Sequence, residues 1–518
     1  MKQTFRDLGD LGDLSDRSDL KTAQEESPEA AEPRYPLELT GEPLRQAVEQ
    51  TLGRILDHLE SLPDQPAADT LGARELARSL VERHLPAAPT PLPELLDLLF
   101  ERAIPKSFNT AGPGYLAYIP GGGLPHSAIA ELIAATTNRF TGLFAAAPAL
   151  CQLEANVLHW FAEIVGYPEA ARGLLTSGGS LANFTALVTA RRERLPEDFL
   201  SGTLYASDQA HHSIEKAALL AGFPPARVRA VPTDGACRMR PDRLVELIAA
   251  DRRRGLTPFF LVGNAGTTNT GAVDPLPELA GLAREHGLWF HVDAAYGGFF
   301  LLTDQGRRVL SGIERADSVV LDPHKSLFLP YGTGALLVRD GLALKRAHGI
   351  AADYLPPVQE DPDLLDIRDI SPELSRPYRG LSVWLPLKML GITPFRDALD
   401  EKLALTRWAA DELRVTPGIE ILTEPELSLF AFRANPQAVP QTPGAPRAPG
   451  LDDDALDRLN HAFLDRINAR HRVFLTGTNL SGRFVLRLCI LSFRTHRDRV
   501  LAAVSDIRAA LREVLPLA

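Results

Sequence analysis

The stretch Leu321–Val338, "LDPHKSLFLPYGTGALLV", governs how the chain is read. A short apolar run ends in an Asp-Pro turn and sets His324 beside Lys325. An apolar segment and a glycine-rich turn then lead into a second short apolar run. A surface lysine ordinarily does no more than solvate a face, but "SLFLP" leaves little water around this one. Apolar surroundings lower the pKa of an amine, and a neutral amine is what imine formation requires. The sequence therefore predicts a depressed pKa for Lys325.

Outward from that stretch the same texture recurs. "RGLLTSGGS" leads into "LANFTALVTARRERL", "GTLYAS" precedes "SIEKAALLAG", and "FFLVGNAG" is followed by "LPELAGLAREHG". "LWFHVDAAY", "ADSVVLDP" and "GALLVRD" complete the series. Near-continuously apolar strands alternating with amphipathic helices predict an α/β region, a mostly parallel sheet covered on both faces, over residues 106–394. Ligands in such sheets sit outside the carboxyl ends of the strands, where the motifs below fall. Before it, 35–105 reads as a helical arm with proline-rich joints, packing on a partner subunit. After it, 395–518 reads as a small α+β domain interrupted by a Pro/Gly-rich insertion at 433–454. Residues 1–34 are acidic and polar and read as a disordered tail, without the basic and apolar regions of a signal peptide.

The bulk numbers set limits. A chain of 518 residues is too long for one core. A formal net charge of −11 argues against a nucleic-acid or anionic-membrane surface, and no apolar run is long enough to span a bilayer. Three scattered cysteines, Cys151, Cys237 and Cys489, give neither a disulfide framework nor a zinc site and fit a reducing cytoplasm.

Four local signals carry chemistry. In "TSGGSLANFTAL" small residues end a strand and open a helix, so backbone N–H groups, with the Ser180 hydroxyl, make either a tight turn or a single-phosphate site. In "HVDAAYGGFF" Asp293 ends an apolar strand and needs a cationic partner, either a structural arginine or a protonated ring nitrogen. In "SDQAHHSIEKA" His211 and His212 open a helix. Adjacent histidines point apart, which suits ring stacking better than a metal. The fourth is "DPHKSLF". A phosphate turn, a buried carboxylate, a stacking imidazole and a desolvated lysine are the parts of a pyridoxal 5'-phosphate site.

From roughly residue 40 to 515 the chain resembles the group II pyridoxal-phosphate decarboxylases, of the type I aspartate aminotransferase-like fold. The resemblance rests on "HVDAAYGG…DPHK", with "GPGYLAYIPGGG", "AAAPALCQLEANVLHW", "NAGTTNTGAVDP" and "RPYRGLSVW". It implies an amino-acid decarboxylase, with Lys325 carrying the cofactor, Asp293 pairing with its pyridine nitrogen, and His211 and Ala295 on the two ring faces. Gly178, Gly179, Ser180 and His324, with Thr267 nearby, would hold the phosphate. It also implies a homodimer with sites at the interface and the arm clasping the partner.

In "NRFTGLFAAAP", Phe140, Gly142 and Phe144 stand where the family lines its side-chain pocket, and Gly121 stands where aromatic-specific members have a threonine. These features favour an aromatic or bulky apolar substrate. The family's mobile loop carries a tyrosine, taken to protonate Cα, about a dozen residues before the arginine matched by Arg379. Here that position falls on Ile367, with Tyr354 and Tyr378 off the matching spacing. Isoleucine donates no proton, so decarboxylation-coupled oxidative deamination to an aldehyde is the alternative outcome. Retention of lysine, aspartate and histidine argues against a non-catalytic homologue. No separate C-terminal arginine motif marks an aminotransferase, although Arg487 and Arg494 are present.

Overall fold

The computed structural model describes residues 35, 37–349, 366–438 and 451–515. The tail expected at 1–34 and most of the 433–454 insertion lie outside them, although the expected insertion begins inside a strand that runs to Ala434. Seven strands form the main sheet: β1 Arg172–Thr176, β2 Gly202–Ser207, β3 Val228–Val231, β4 Thr257–Asn264, β5 Trp289–Asp293, β6 Ser318–Leu321 and β7 Gly334–Val338. Their order is β1-β7-β6-β5-β4-β2-β3. Pairing is parallel from β3 through β2, β4 and β5 to β6, while β7 runs antiparallel to both β6 and β1.

Both faces of this sheet are covered, which explains why its strands are apolar without alternation. Leu175, Tyr205, Leu261, Phe290, Val292 and Leu337 enter one core, and Leu174, Leu204, Phe260, Val262, Val320 and Leu336 the other. The register sets Asn264 beside Asp293 and Thr176 beside Gly334. The carboxyl ends of β1, β4, β5 and β6 and the start of β7 therefore share one edge.

A second sheet, β10-β11-β9-β8, is antiparallel throughout, with β8 Ile419–Ile421, β9 Leu429–Ala434, β10 Thr476–Leu480 and β11 Arg483–Cys489. It packs its own core with the helices Thr393–Arg414, Asp453–Asn468 and Arg497–Val514. Asp452 caps the middle helix by accepting the Ala455 N–H at 2.7 Å.

In the N-terminal region the helix Gly41–Ser61 has no buried residue, and Leu44, Val48, Leu52, Ile55 and Leu56 are exposed along it. Within the expected arm a second, short helix runs over Ala73–Ser79. The Leu80 N–H closes the last turn on the Leu76 and Ala77 carbonyls, and Pro86 lies beyond.

Candidate active site

The shared strand edge encloses a cavity of about 240 Å³. Lys325, Asp293, His211, Ala295, Thr267 and His324 all line it, as do Gly178, Gly179 and Ser180. Sequence positions spread from 178 to 325 are thus brought together by strand order.

Lys325 sits on a single helical turn, Pro323–Ser326, with Leu327, Phe328 and Leu329 buried behind it. Its Nζ lies 2.9 Å from Asp322 Oδ2. Burial pulls its pKa down, but the fields of Asp322 and Asp293 and the hydrogen bond to Asp322 outweigh that effect, and the net shift is upward. The expected depression is therefore corrected. The apolar neighbours in sequence face the core, while Asp322, one turn earlier, and Asp293, reached through the fold, face the amine.

Asp293 ends β5. Its Oδ2 accepts from Asn183 Nδ2 at 3.0 Å and its Oδ1 from the Ala295 N–H at 3.1 Å. No arginine pairs with it among the described residues, so two neutral donors hold a carboxylate whose remaining lone pairs stay available. His211 Nδ1 lies 2.8 Å from Ser213 Oγ, and burial lowers the pKa of the ring. His212 is exposed and does not line the cavity. His324 donates from Nδ1 to the Thr333 carbonyl at 2.6 Å, burial again lowering its pKa. Thr267 Oγ1 is tied to Thr270 Oγ1 at 2.7 Å.

The glycines are a matter of space. Gly178, at φ 152°, opens the helix Gly179–Arg194. A Cβ on Gly179 would stand 3.0 Å from Asp322 Oδ2, and one on Gly334 would stand 2.6 Å from Gly178 Cα. Larger residues would close the space in front of the helix N-terminus, where an anion could be held.

Other candidate residues gather elsewhere. Phe140 is exposed, the Phe144 N–H donates to Asp366 Oδ1 at 2.7 Å, and the Arg368 N–H donates to the Gly142 carbonyl at 3.2 Å. Ile367 is buried and shares a separate cavity of about 80 Å³ with Phe144 and Cys151. Arg379 makes a bidentate pair with Glu373 at 2.8 and 3.0 Å, and Tyr378 donates to the Leu150 carbonyl at 2.8 Å. Arg376 and Glu154 form a buried ion pair at 2.5 Å beneath them. Phe140, Ile367 and Arg379 therefore do not line their own chain's cofactor cavity, and Tyr354 lies outside the described residues. A Cβ on Gly121 would meet the His324 carbonyl at 2.9 Å, so a threonine would not fit there without movement. Arg487 spends its guanidinium on Thr476 and on the carbonyls of Tyr118, Thr268 and Asn269, and Arg494 on those of Ala111 and Gly122.

Sequence reading missed Asp322, Asn183 and Ser213. For Asp322 a signal existed: it stands one helical turn before Lys325. For Asn183 the only trace was an amide among small and apolar helix residues.

The residues fit pyridoxal phosphate. A side-chain oxygen of Asp322 is buried with no partner, a glycine-opened helix start faces a histidine, and a carboxylate and an amine stand in the same cavity. A cofactor-binding α/β fold of type I is thereby defined. Residues 75–435 match the pyridoxal-dependent decarboxylase conserved domain. An aromatic-L-amino-acid decarboxylase of Bacillus atrophaeus is 32% identical, the match covering 92% of this chain and 97% of that one. A phenylacetaldehyde synthase of Arabidopsis thaliana is 28% identical over 87% of this chain and 92% of its own. The solved structure of Oryza sativa TDC with PLP and tryptamine superposes at TM-score 0.86 with 26% identity, covering 92% of this chain and 99% of that one. The chain belongs to the pyridoxal-dependent decarboxylase family, and is a pyridoxal-phosphate-dependent amino-acid decarboxylase.

Proposed function

We propose that the protein decarboxylates an aromatic L-amino acid to its amine at the cavity around Lys325, working as a homodimer in the cytoplasm. The observation that carries this reading is the convergence of Lys325, Asp322, Asp293 and His211 on one cavity. The aromatic substrate class is supported by the Bacillus relative. Bound pyridoxal phosphate supplies an electron sink for the carbanion left when CO2 departs.

The chain's own groups do the rest. Lys325 Nζ must lose a proton before it can attack a carbonyl carbon, and Asp322 Oδ2 at 2.9 Å is placed to take it. Asp293, at the end of β5, would pair with a protonated ring nitrogen. Gly178, Gly179 and Ser180, with His324 and Thr267 beside them, would hold the phosphate, and His211 and Ala295 would hold the ring; all line the cavity. The apolar stripe on the helix Gly41–Ser61 is the surface for the second copy, and no helix among the described residues is long and apolar enough to cross a membrane. The acidic composition and three free cysteines support the cytoplasmic placement.

A second reading is kept by one residue. Ile367 at the matched loop position supports oxidative deamination to an aldehyde, and the Arabidopsis relative is named for such a product. Tyr378 is committed to the Leu150 carbonyl, which leaves Tyr354 as the other phenol of this segment to test.

Incubating the reconstituted protein with a panel of amino acids, and following CO2, amine, aldehyde and peroxide together, separates the readings. Amine with CO2 from aromatic substrates supports the first, and aldehyde with peroxide the second. Turnover confined to small acidic substrates overturns the substrate class.

A further inference from the structure

Beneath the cavity lies a chain of hydrogen bonds that none of the roles above uses. Asn183, buried in the helix Gly179–Arg194, donates from Nδ2 to Asp293 Oδ2 at 3.0 Å and to Ser213 Oγ at 2.9 Å. Its Oδ1 lies 2.9 Å from His291 Nε2. His291 Nδ1 lies 2.8 Å from Ser318 Oγ, which accepts the Trp289 indole N–H at 2.8 Å.

Donor and acceptor capacity fixes the protons along this chain. An ionised Asp293 only accepts, so the Asn183 amide must face it with Nδ2. That sets Oδ1 toward His291 Nε2, which carries the hydrogen. Both Nδ2 hydrogens are then used, the second on Ser213 Oγ. Ser213 keeps its own hydroxyl hydrogen for His211 Nδ1 at 2.8 Å, and the Ser213 backbone N–H points at the same nitrogen from 3.3 Å. A nitrogen that receives two donors holds no proton. The neutral His211 ring therefore carries its hydrogen on Nε2, for which the described residues offer no acceptor.

We propose that Asn183 is a positioning residue that ties the charge of Asp293 to the tautomer of His211, so that the cavity presents an imidazole Nε2–H donor to its ligand. The proposal rests on the cofactor-site reading of this cavity. It assigns the donor to an anionic acceptor on the bound molecule, of the kind an amino-acid carboxylate provides. Burial lowers the pKa of both His211 and His291, in keeping with neutral rings at either end of the relay.

The test uses the full chain labelled with 15N-histidine and free of cofactor, with the His211 signal assigned from a His211→Gln protein. Long-range 1H–15N spectra of the wild type should show His211 as the Nε2–H tautomer. Ser213→Ala should shift it toward a mixture of tautomers, and Asn183→Ala should do the same. In parallel, the dissociation constant of pyridoxal phosphate, read by fluorescence, should rise roughly tenfold or more in Asn183→Ala, which strips a charge-assisted hydrogen bond from Asp293. Ser213→Ala leaves that bond intact and should stay within about threefold.

A wild-type His211 protonated on Nδ1, or a tautomer unchanged in Ser213→Ala or in Asn183→Ala, overturns the proposal. If Asn183→Ala does not fold, the Ser213→Ala spectrum decides alone. The tautomer is read without substrate or cofactor, so a protein lacking the proposed activity would still return either answer.

Discussion

The cavity around Lys325 and the cluster around Glu154 both gather charged side chains within the large region, yet they use them in opposite ways. In the first, Lys325, Asp322, Asp293 and His211 surround about 240 Å³ and keep hydrogen-bonding capacity open, down to an unpartnered oxygen on Asp322. In the second, Arg376 closes on Glu154 and Arg379 on Glu373, fixing the segment that follows residue 365, although Glu154 Oε2 and Arg376 Nε are buried without a hydrogen-bond partner. Open capacity is what a ligand needs, whereas closed pairs hold backbone in place. The comparison teaches that the kinds of residue present do not distinguish a site from a clamp. What distinguishes them is the space beside the unpartnered atoms, about 240 Å³ in the first and about 80 Å³ in the second.

The largest effect should come from Lys325→Ala, which removes turnover altogether together with the visible absorbance of the bound cofactor. Residual turnover would mean that the cavity is not the reaction centre. Asp293→Ala should lower kcat/KM by about a thousandfold, the weight of a charged group acting at the reacting centre. On the other side of the comparison, Arg376→Leu should cost about 3–5 kcal/mol of stability by leaving Glu154 buried and unpaired. Denaturant midpoints measure that cost, and kcat of the folded fraction should change far less. A variant of normal stability and lost activity would make the clamp part of the site.

Ile367→Tyr sharpens the comparison further, because it places a phenol in the cluster. Under the aldehyde reading it raises the amine-to-aldehyde ratio, and Tyr354→Phe leaves that ratio alone. If Tyr354→Phe instead produces aldehyde from an amine-forming enzyme, the loop register places the acid at Tyr354.

The smallest effect concerns pH. Burial lowers His291 from 6.5 to about 4, so between those values the folded chain binds fewer protons than the unfolded one, and stability falls as pH drops through that window. His291→Gln should flatten this part of the profile, read as unfolding midpoint against pH. Asp274, pushed up to about 6 by burial, has the opposite sign but is common to both proteins and cancels in the difference.

Much of the fold was legible because its signals are local. Apolar runs such as "GTLYAS" and "GALLV" coincide with β2 and β7, and Lys325, Asp293, His211 and the glycine turn stand at strand ends as the α/β pattern predicts. What escaped reading depends on pairing across the chain. The upward shift at Lys325 comes first from Asp322, in the same turn, and then from Asp293 at the end of β5, which only the fold brings near; the role of Asn183 comes from Ser213 and His291 on two further elements. Phe144 and Ile367 likewise meet only through the fold, far apart in sequence and away from the cavity.

The insertion of β7 between β1 and β6 has a consequence in time. During synthesis the glycine turn after β1 emerges early, but its neighbour in the sheet is complete only at Val338. Until then the glycine turn has no Gly334 beside it, although the lysine turn Pro323–Ser326 is already made. A nascent chain released before β7 would carry half a cradle and an unpaired edge on β1, open to the wrong partner. Closure of the cavity thus comes late in this protein's synthesis, after the strand that joins its first motif to its last has been made.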